Sequence, residues 1–197
     1  MSLSMIAVVG CGPRGLSIVE AIAGADLPVV AICTGAGALG RARARLQRTL
    51  SLGVQVGELR RAEADAILGR VRFTTDPTAV QGCDFVIESS VGDVRARRAL
   101  LATLESRMSR GAVLAANAPR AVLRSMAEVL VRPDQFMGMR FFHPATHTPL
   151  VELVPLAATA PGALYAAQTL CRWLEKTPVE QVEGEVRAVL PRARVAS

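Results

Sequence analysis

One motif constrains this chain more than any other. Gly10-x-Gly12-x-x-Gly15 sits directly after an apolar run at residues 5–9 and opens a stretch, residues 16–23, whose apolar side chains recur at helical spacing. A second apolar run follows at residues 28–32. Strand, glycine turn, helix and strand within roughly thirty residues is the first βαβ unit of a dinucleotide-binding fold. Each glycine has a separate reason. Gly10 permits a tight turn, Gly12 lets backbone approach a pyrophosphate, and Gly15 lets the helix pack close to its strand. The unpaired N–H groups of the helix N-terminus suit phosphate oxygens. The alternative is a structural turn without a ligand, and the framing by strand and helix favours the dinucleotide reading.

The rest of the sequence keeps the same alternation. Helices are expected at residues 39–50 and 57–69, a strand at 71–74, and a turn or helix start at Thr75-Asp76-Pro77. A strand at 83–88, a helix at 94–107 and a strand at 112–116 follow. Further strands are expected at 136–142 and 149–154, a helix at 160–175 and a last strand at 179–182. This order predicts an α/β fold of Rossmann type, a doubly wound, mostly parallel sheet with helices on both faces. The expected domains are a dinucleotide-binding domain at residues 4–183 and a short tail at 184–197.

Composition narrows the function classes. With 197 residues, 51% of them apolar, the chain can build a core, and disorder is excluded as a class. No apolar run reaches the ~20 residues of a membrane span, and no secretory leader is read at the start. The net charge of +6 comes almost wholly from arginine. Those arginines are spread along helical stretches and aromatic residues make up 4%, so no stacking platform for nucleic acid is expected. Cys11, Cys33, Cys83 and Cys171 lack metal-ligand spacing and read as buried thiols of a cytoplasmic protein. His143 and His147 have His-x-x-x-His spacing, but Pro144 and Pro149 argue against a helix there and no third ligand is evident. No metal site is expected.

The end of the second strand bears on the cofactor. NAD sites place an Asp or Glu there to accept the ribose hydroxyls. This sequence has Cys33-Thr34-Gly35. The cofactor expected from the glycine loop is NAD. NADP is an alternative, because no carboxylate repels a 2′-phosphate and Thr34 with Arg41 or Arg43 is placed to contact one. Weak or absent cofactor binding is another.

Several segments together resemble the NAD-binding domain of the 3-hydroxyacyl-CoA dehydrogenase family. They are residues 8–15, Asp84-Phe85-Val86-Ile87-Glu88, Ala116-Asn117-Ala118, Phe141-Phe142-His143-Pro144 with Pro149-Leu150-Val151-Glu152-Leu153-Val154, and Lys176-Thr177-Pro178-Val179. The resemblance implies hydride transfer between a nicotinamide dinucleotide and a 3-hydroxyacyl thioester. It implies dinucleotide contacts at Gly10, Gly12, Arg14, Gly15, Cys33, Thr34, Glu88 and Asn117. It also implies a catalytic base where Arg140 stands, oriented by a glutamate at Glu152. Arginine stays protonated at any working pH and cannot serve as that base. An Arg140–Glu152 ion pair is expected instead, with His143 as the other candidate base. The family's substrate-contacting serine is replaced by Pro119. The family continues with a helical domain of roughly 100 residues, the size of a separate domain. Here residues 184–197 are expected to be a tail without it. A second copy or a partner protein is then expected to cover the exposed face. An accessory or sensor role without turnover is the alternative reading.

Overall fold

The computed structural model describes residues 3–182 and 185–188. The first unit runs as expected through β1 (Ile6–Val9), α1 (Pro13–Gly24) and β2 (Val29–Ile32). A helical hairpin, α2 (Ala38–Gln55) and α3 (Arg61–Gly69), leads to β3 (Val71–Thr74). A 3-10 turn (Pro77–Gly82) starts where the Asp76 carboxylate accepts the Thr78 N–H at 2.8 Å, the helix-start signal read at residues 75–77. Next come β4 (Phe85–Glu88), α4 (Val94–Glu105), β5 (Val113–Ala116), α5 (Arg120–Ala127) and β6 (Phe136–Phe141). The last elements are β7 (Leu150–Pro155), α6 (Pro161–Trp173), β8 (Thr177–Val182) and β9 (Glu185–Ala188).

The described strands form one sheet in the order β3-β2-β1-β4-β5-β6-β7-β8-β9. The first six pair in parallel, in the 3-2-1-4-5-6 order of dinucleotide-binding folds. β7 turns back antiparallel on β6, and β9 pairs antiparallel with β8. The expected tail at residues 184–197 lies outside the described residues, save for β9.

Burial on both faces explains the unbroken apolar strands. Ile6 and Val8 of β1 point into one core with Ile18, Val19 and Ile22 of α1, Leu46 and Leu50 of α2, and Leu170 of α6. Ala7 and Val9 point the other way, to Leu101 and Leu104 of α4 and Leu123 and Met126 of α5. Helices therefore cover both faces, as the pattern predicts. α2 runs past its expected end because Gly53 does not stop it. A side chain there would press on Leu59, so the small residue lets the hairpin close.

Candidate dinucleotide site

The parallel order reverses direction between β1 and β4, and the crevice beyond their carboxyl ends is where such sheets hold ligands. Gly10 turns the chain there with φ of +99°, and a Cβ on it would meet the Ser90 backbone at 2.5 Å. A Cβ on Gly15 would overlap the Gly10 carbonyl oxygen, so α1 can approach β1 only with glycine at that position. Gly12 differs. Its φ of −70° and ψ of −178° suit any residue, and a Cβ would find only Val91 Cγ2 at 3.8 Å. The protein has no steric need for glycine at that spot. The space a Cβ would fill lies on the crevice, which is what a phosphate-binding turn requires.

Backbone donors point the same way. No side chain caps α1, and its first turn has no acidic residue. Among the described residues, the amides of Cys11, Gly12, Arg14 and Gly15 have no backbone partner. Anions are favoured at such an end by direct hydrogen bonds and by the helix dipole. These residues fit the diphosphate of a dinucleotide.

Two hollows flank the turn. One, about 570 Å³, is lined by Gly10, Gly12, Thr34, Arg41, Arg45 and Arg48 among others. The second, about 540 Å³, lies between the end of β2 and α4, with Thr34, Thr75, Pro77 and Leu100 in its wall. Thr34 borders both. A larger hollow of about 960 Å³ lies away from the glycine loop, beside Trp173 and the far ends of α1 and α2. Its size does not make it the site, because the free amides are elsewhere.

The remaining sequence-derived residues divide by position. Cys33 is buried, and burial pushes its thiol up, as it does that of neighbouring Cys11. Thr34 is exposed at the crevice edge. Arg14 is exposed and is not among the residues lining either hollow. Glu88 is fully buried, and its carboxylate accepts the Ser90 N–H at 2.8 Å, the Ser90 hydroxyl and the Arg97 guanidinium. That pairing holds the turn after β4 against α4. Asn117 ties three strand ends together: its N–H donates to Glu88 O at 2.7 Å, its Nδ2 to Ser89 Oγ at 3.1 Å, and its Oδ1 accepts the Phe141 N–H at 3.3 Å.

Arg140 of β6 stands directly opposite Glu152 of β7 in the antiparallel register. Their side chains form an ion pair, with Glu152 9% exposed and Arg140 36%. The Arg140 guanidinium also lies over the Phe142 ring, 5.7 Å from its centre. His143 is apart from this pair. It borders a separate hollow with Ser17, Glu20 and His147, and its Nδ1 is 3.2 Å from Ser17 Oγ. Sequence reasoning did not find Ser17, which lies 126 positions from His143 and has no local signal. Arg45 and Arg48 were legible in principle, standing four and seven residues after Arg41 on one helix face.

Fold and crevice define a dinucleotide-binding α/β domain. Residues 5–184 match the 3-hydroxyacyl-CoA dehydrogenase NAD-binding domain, and the chain belongs to that family. It is 28% identical over 179 residues to a 3-hydroxybutyryl-CoA dehydrogenase of Clostridioides difficile, covering 91% of this chain and 64% of the relative. It is 31% identical over 169 residues to a 3-hydroxybutyryl-CoA dehydrogenase of Mycobacterium tuberculosis, covering 85% of this chain and 58% of the relative. This chain thus spans less than two thirds of those relatives. Among solved structures, the (S)-3-hydroxybutyryl-CoA dehydrogenase of Ralstonia eutropha superposes with a TM-score of 0.86 at 26% identity, covering 98% of this chain and 68% of that one. The family's cofactor is NAD, and the described residues of the crevice fit it. No helix among the described residues is long and apolar enough to cross a membrane.

Proposed function

We propose that this chain binds a nicotinamide dinucleotide through the glycine-loop amides and does not carry out the hydride transfer on 3-hydroxyacyl thioesters for which its relatives are named. The observation that carries this is the Arg140–Glu152 ion pair. When bound, the nicotinamide supplies a hydride acceptor. The alcohol of a 3-hydroxyacyl thioester must then lose its proton to a base within hydrogen-bond reach. Arg140 holds no free lone pair and keeps its charge. It also engages Glu152, the carboxylate that would orient a base. Pro119 adds neither a hydroxyl nor an N–H donor. Cofactor binding and proton removal use different residues, so losing the second leaves the first intact. Of the two dinucleotides, the same crevice admits NADP as well as NAD. The role that follows is a dinucleotide-dependent accessory or sensor.

A second reading keeps catalysis, with His143 as the base. The Ser17–His143 contact favours it, since a hydrogen-bonded imidazole has a fixed orientation. One experiment separates the two. The full chain is titrated with NADH and with NADPH by nicotinamide fluorescence, and separate samples are given NAD or NADP with 3-hydroxybutyryl-CoA. Saturable binding without formation of either reduced dinucleotide supports the proposal. Turnover that disappears in His143→Gln supports the second reading. No binding of any dinucleotide overturns both.

A further inference from the structure

We propose that the crevice prefers a dinucleotide whose adenosine ribose carries a 2′-phosphate, held by Arg41, the Thr34 hydroxyl and the free amides that open α2. The inference rests on the dinucleotide reading above and concerns its adenosine end alone.

Three observations converge there. The end of β2 carries no carboxylate: Cys33 is buried and Thr34, exposed, borders both hollows. A ribose with free hydroxyls gains from an acidic acceptor at this place, whereas a phosphate is repelled by one. Thr34 offers a neutral hydroxyl that donates to a phosphate oxygen.

The second observation is the start of α2. This 18-residue helix begins after Gly37 with no side-chain cap and no acidic residue in its first turn. The amides of Leu39 and Gly40 have no backbone partner among the described residues. Arg41 folds back over this turn. Its Nη2 donates to the Ala36 carbonyl at 3.0 Å, which leaves other guanidinium N–H groups available. Gly37 makes room for it, because a Cβ there would lie 2.9 Å from Arg41 Nη1.

The third is uncompensated charge. Arg41, Arg45 and Arg48 fall on one face of α2 and line the same hollow as Gly10 and Gly12. The helix has no Asp or Glu, and none of the three arginines pairs with a carboxylate among the described residues. Arg43 is not among the residues lining that hollow, so Arg41 carries the assignment of the two arginines the sequence suggested. Three cations facing a phosphate site favour the more highly charged ligand.

The test compares NADPH with NADH on the full chain by calorimetry, with 2′,5′-ADP, 3′,5′-ADP and 5′-AMP as probes of the adenosine end. NADPH is expected to bind at least roughly tenfold more tightly, as one added charge-assisted contact supplies. The 2′,5′-ADP should bind more tightly than the other two probes. Arg41→Ala should bring the NADPH and NADH affinities together. Thr34→Asp, at an exposed position, should reverse the preference and serves if Arg41→Ala aggregates. Equal affinities, tighter NADH, or tighter 3′,5′-ADP overturn this inference and leave the dinucleotide reading standing. An Arg41→Ala protein that keeps the full preference overturns the assignment. Failure of both dinucleotides to bind removes the dinucleotide reading and this inference with it.

Discussion

Gly12→Ala and Gly15→Ala change the same number of atoms a few residues apart, and the structure predicts opposite consequences. At Gly15 the new methyl would lie more than an ångström inside the closest approach that Cβ atoms make to other atoms, against the Gly10 carbonyl. The obstacle is backbone, so α1 must move off β1 and loosen the core around Ile18 and Ile22. Overpacking of this kind costs about 3 kcal/mol. For a chain of this size that lowers the melting temperature by roughly 6–12 °C. At Gly12 the methyl meets nothing nearer than 3.8 Å. Its dihedrals suit alanine, and the small loss of capping preference is offset by reduced unfolded-state entropy, so stability changes by less than about 1 kcal/mol. Binding should fail there instead. A methyl on the crevice holds a diphosphate off the loop and breaks two charge-assisted amide contacts. At about 1.5 kcal/mol each, affinity falls roughly a hundredfold. Thermal melts followed by NADH and NADPH titrations read both effects. A Gly12→Ala protein that binds either dinucleotide as tightly as the parent would refute the claim that these amides grip the phosphates.

Other expectations follow from buried charge. Arg140→Met leaves Glu152 without its partner and should lower stability by about 2 kcal/mol, whereas adding Glu152→Leu should recover most of it, as a double-mutant cycle by denaturant unfolding would show. Burial pushes the Glu20 carboxyl up from its ordinary value, against a smaller opposing pull from His147. Its folded value therefore lies above the unfolded one. The neutral form's contribution to stability is complete below about pH 4 and is lost as pH rises through the folded value. Glu20→Gln should raise the melting temperature at pH 8 and leave it unchanged at pH 3. Burial pushes the Cys171 thiol up to about 12, so iodoacetamide at pH 8 should modify it only after denaturation, as peptide mass mapping would report.

The sequence made the first βαβ unit legible because every local signal there agrees: apolar runs, a glycine turn and helical spacing. The Arg140–Glu152 pair was legible through the family resemblance, which puts a base where Arg140 stands and its orienting glutamate at Glu152; the antiparallel register that sets them face to face came only with the structure. Other features had no local signature. α5 was missed because it is only eight residues long and starts at Pro119-Arg120 without a capping side chain. β9 was not expected, because its pairing with β8 is a tertiary choice that a polar stretch does not announce. Glu88 read as a strand-end carboxylate near a ligand, yet its buried oxygens are taken by Ser90 and by Arg97 on α4. Arg97 is nine residues further along, beyond any helical or strand periodicity that would tie the two together.

Binding and hydride transfer are separated by a calorimetric titration of the full chain with reduced nicotinamide dinucleotide, followed in the same sample by 3-oxobutyryl-CoA while the nicotinamide absorbance is recorded. Saturable heat is expected on dinucleotide addition, with an absorbance that then stays constant. Rapid loss of that absorbance would contradict the disabled acid–base position, and absence of binding heat would contradict the crevice itself.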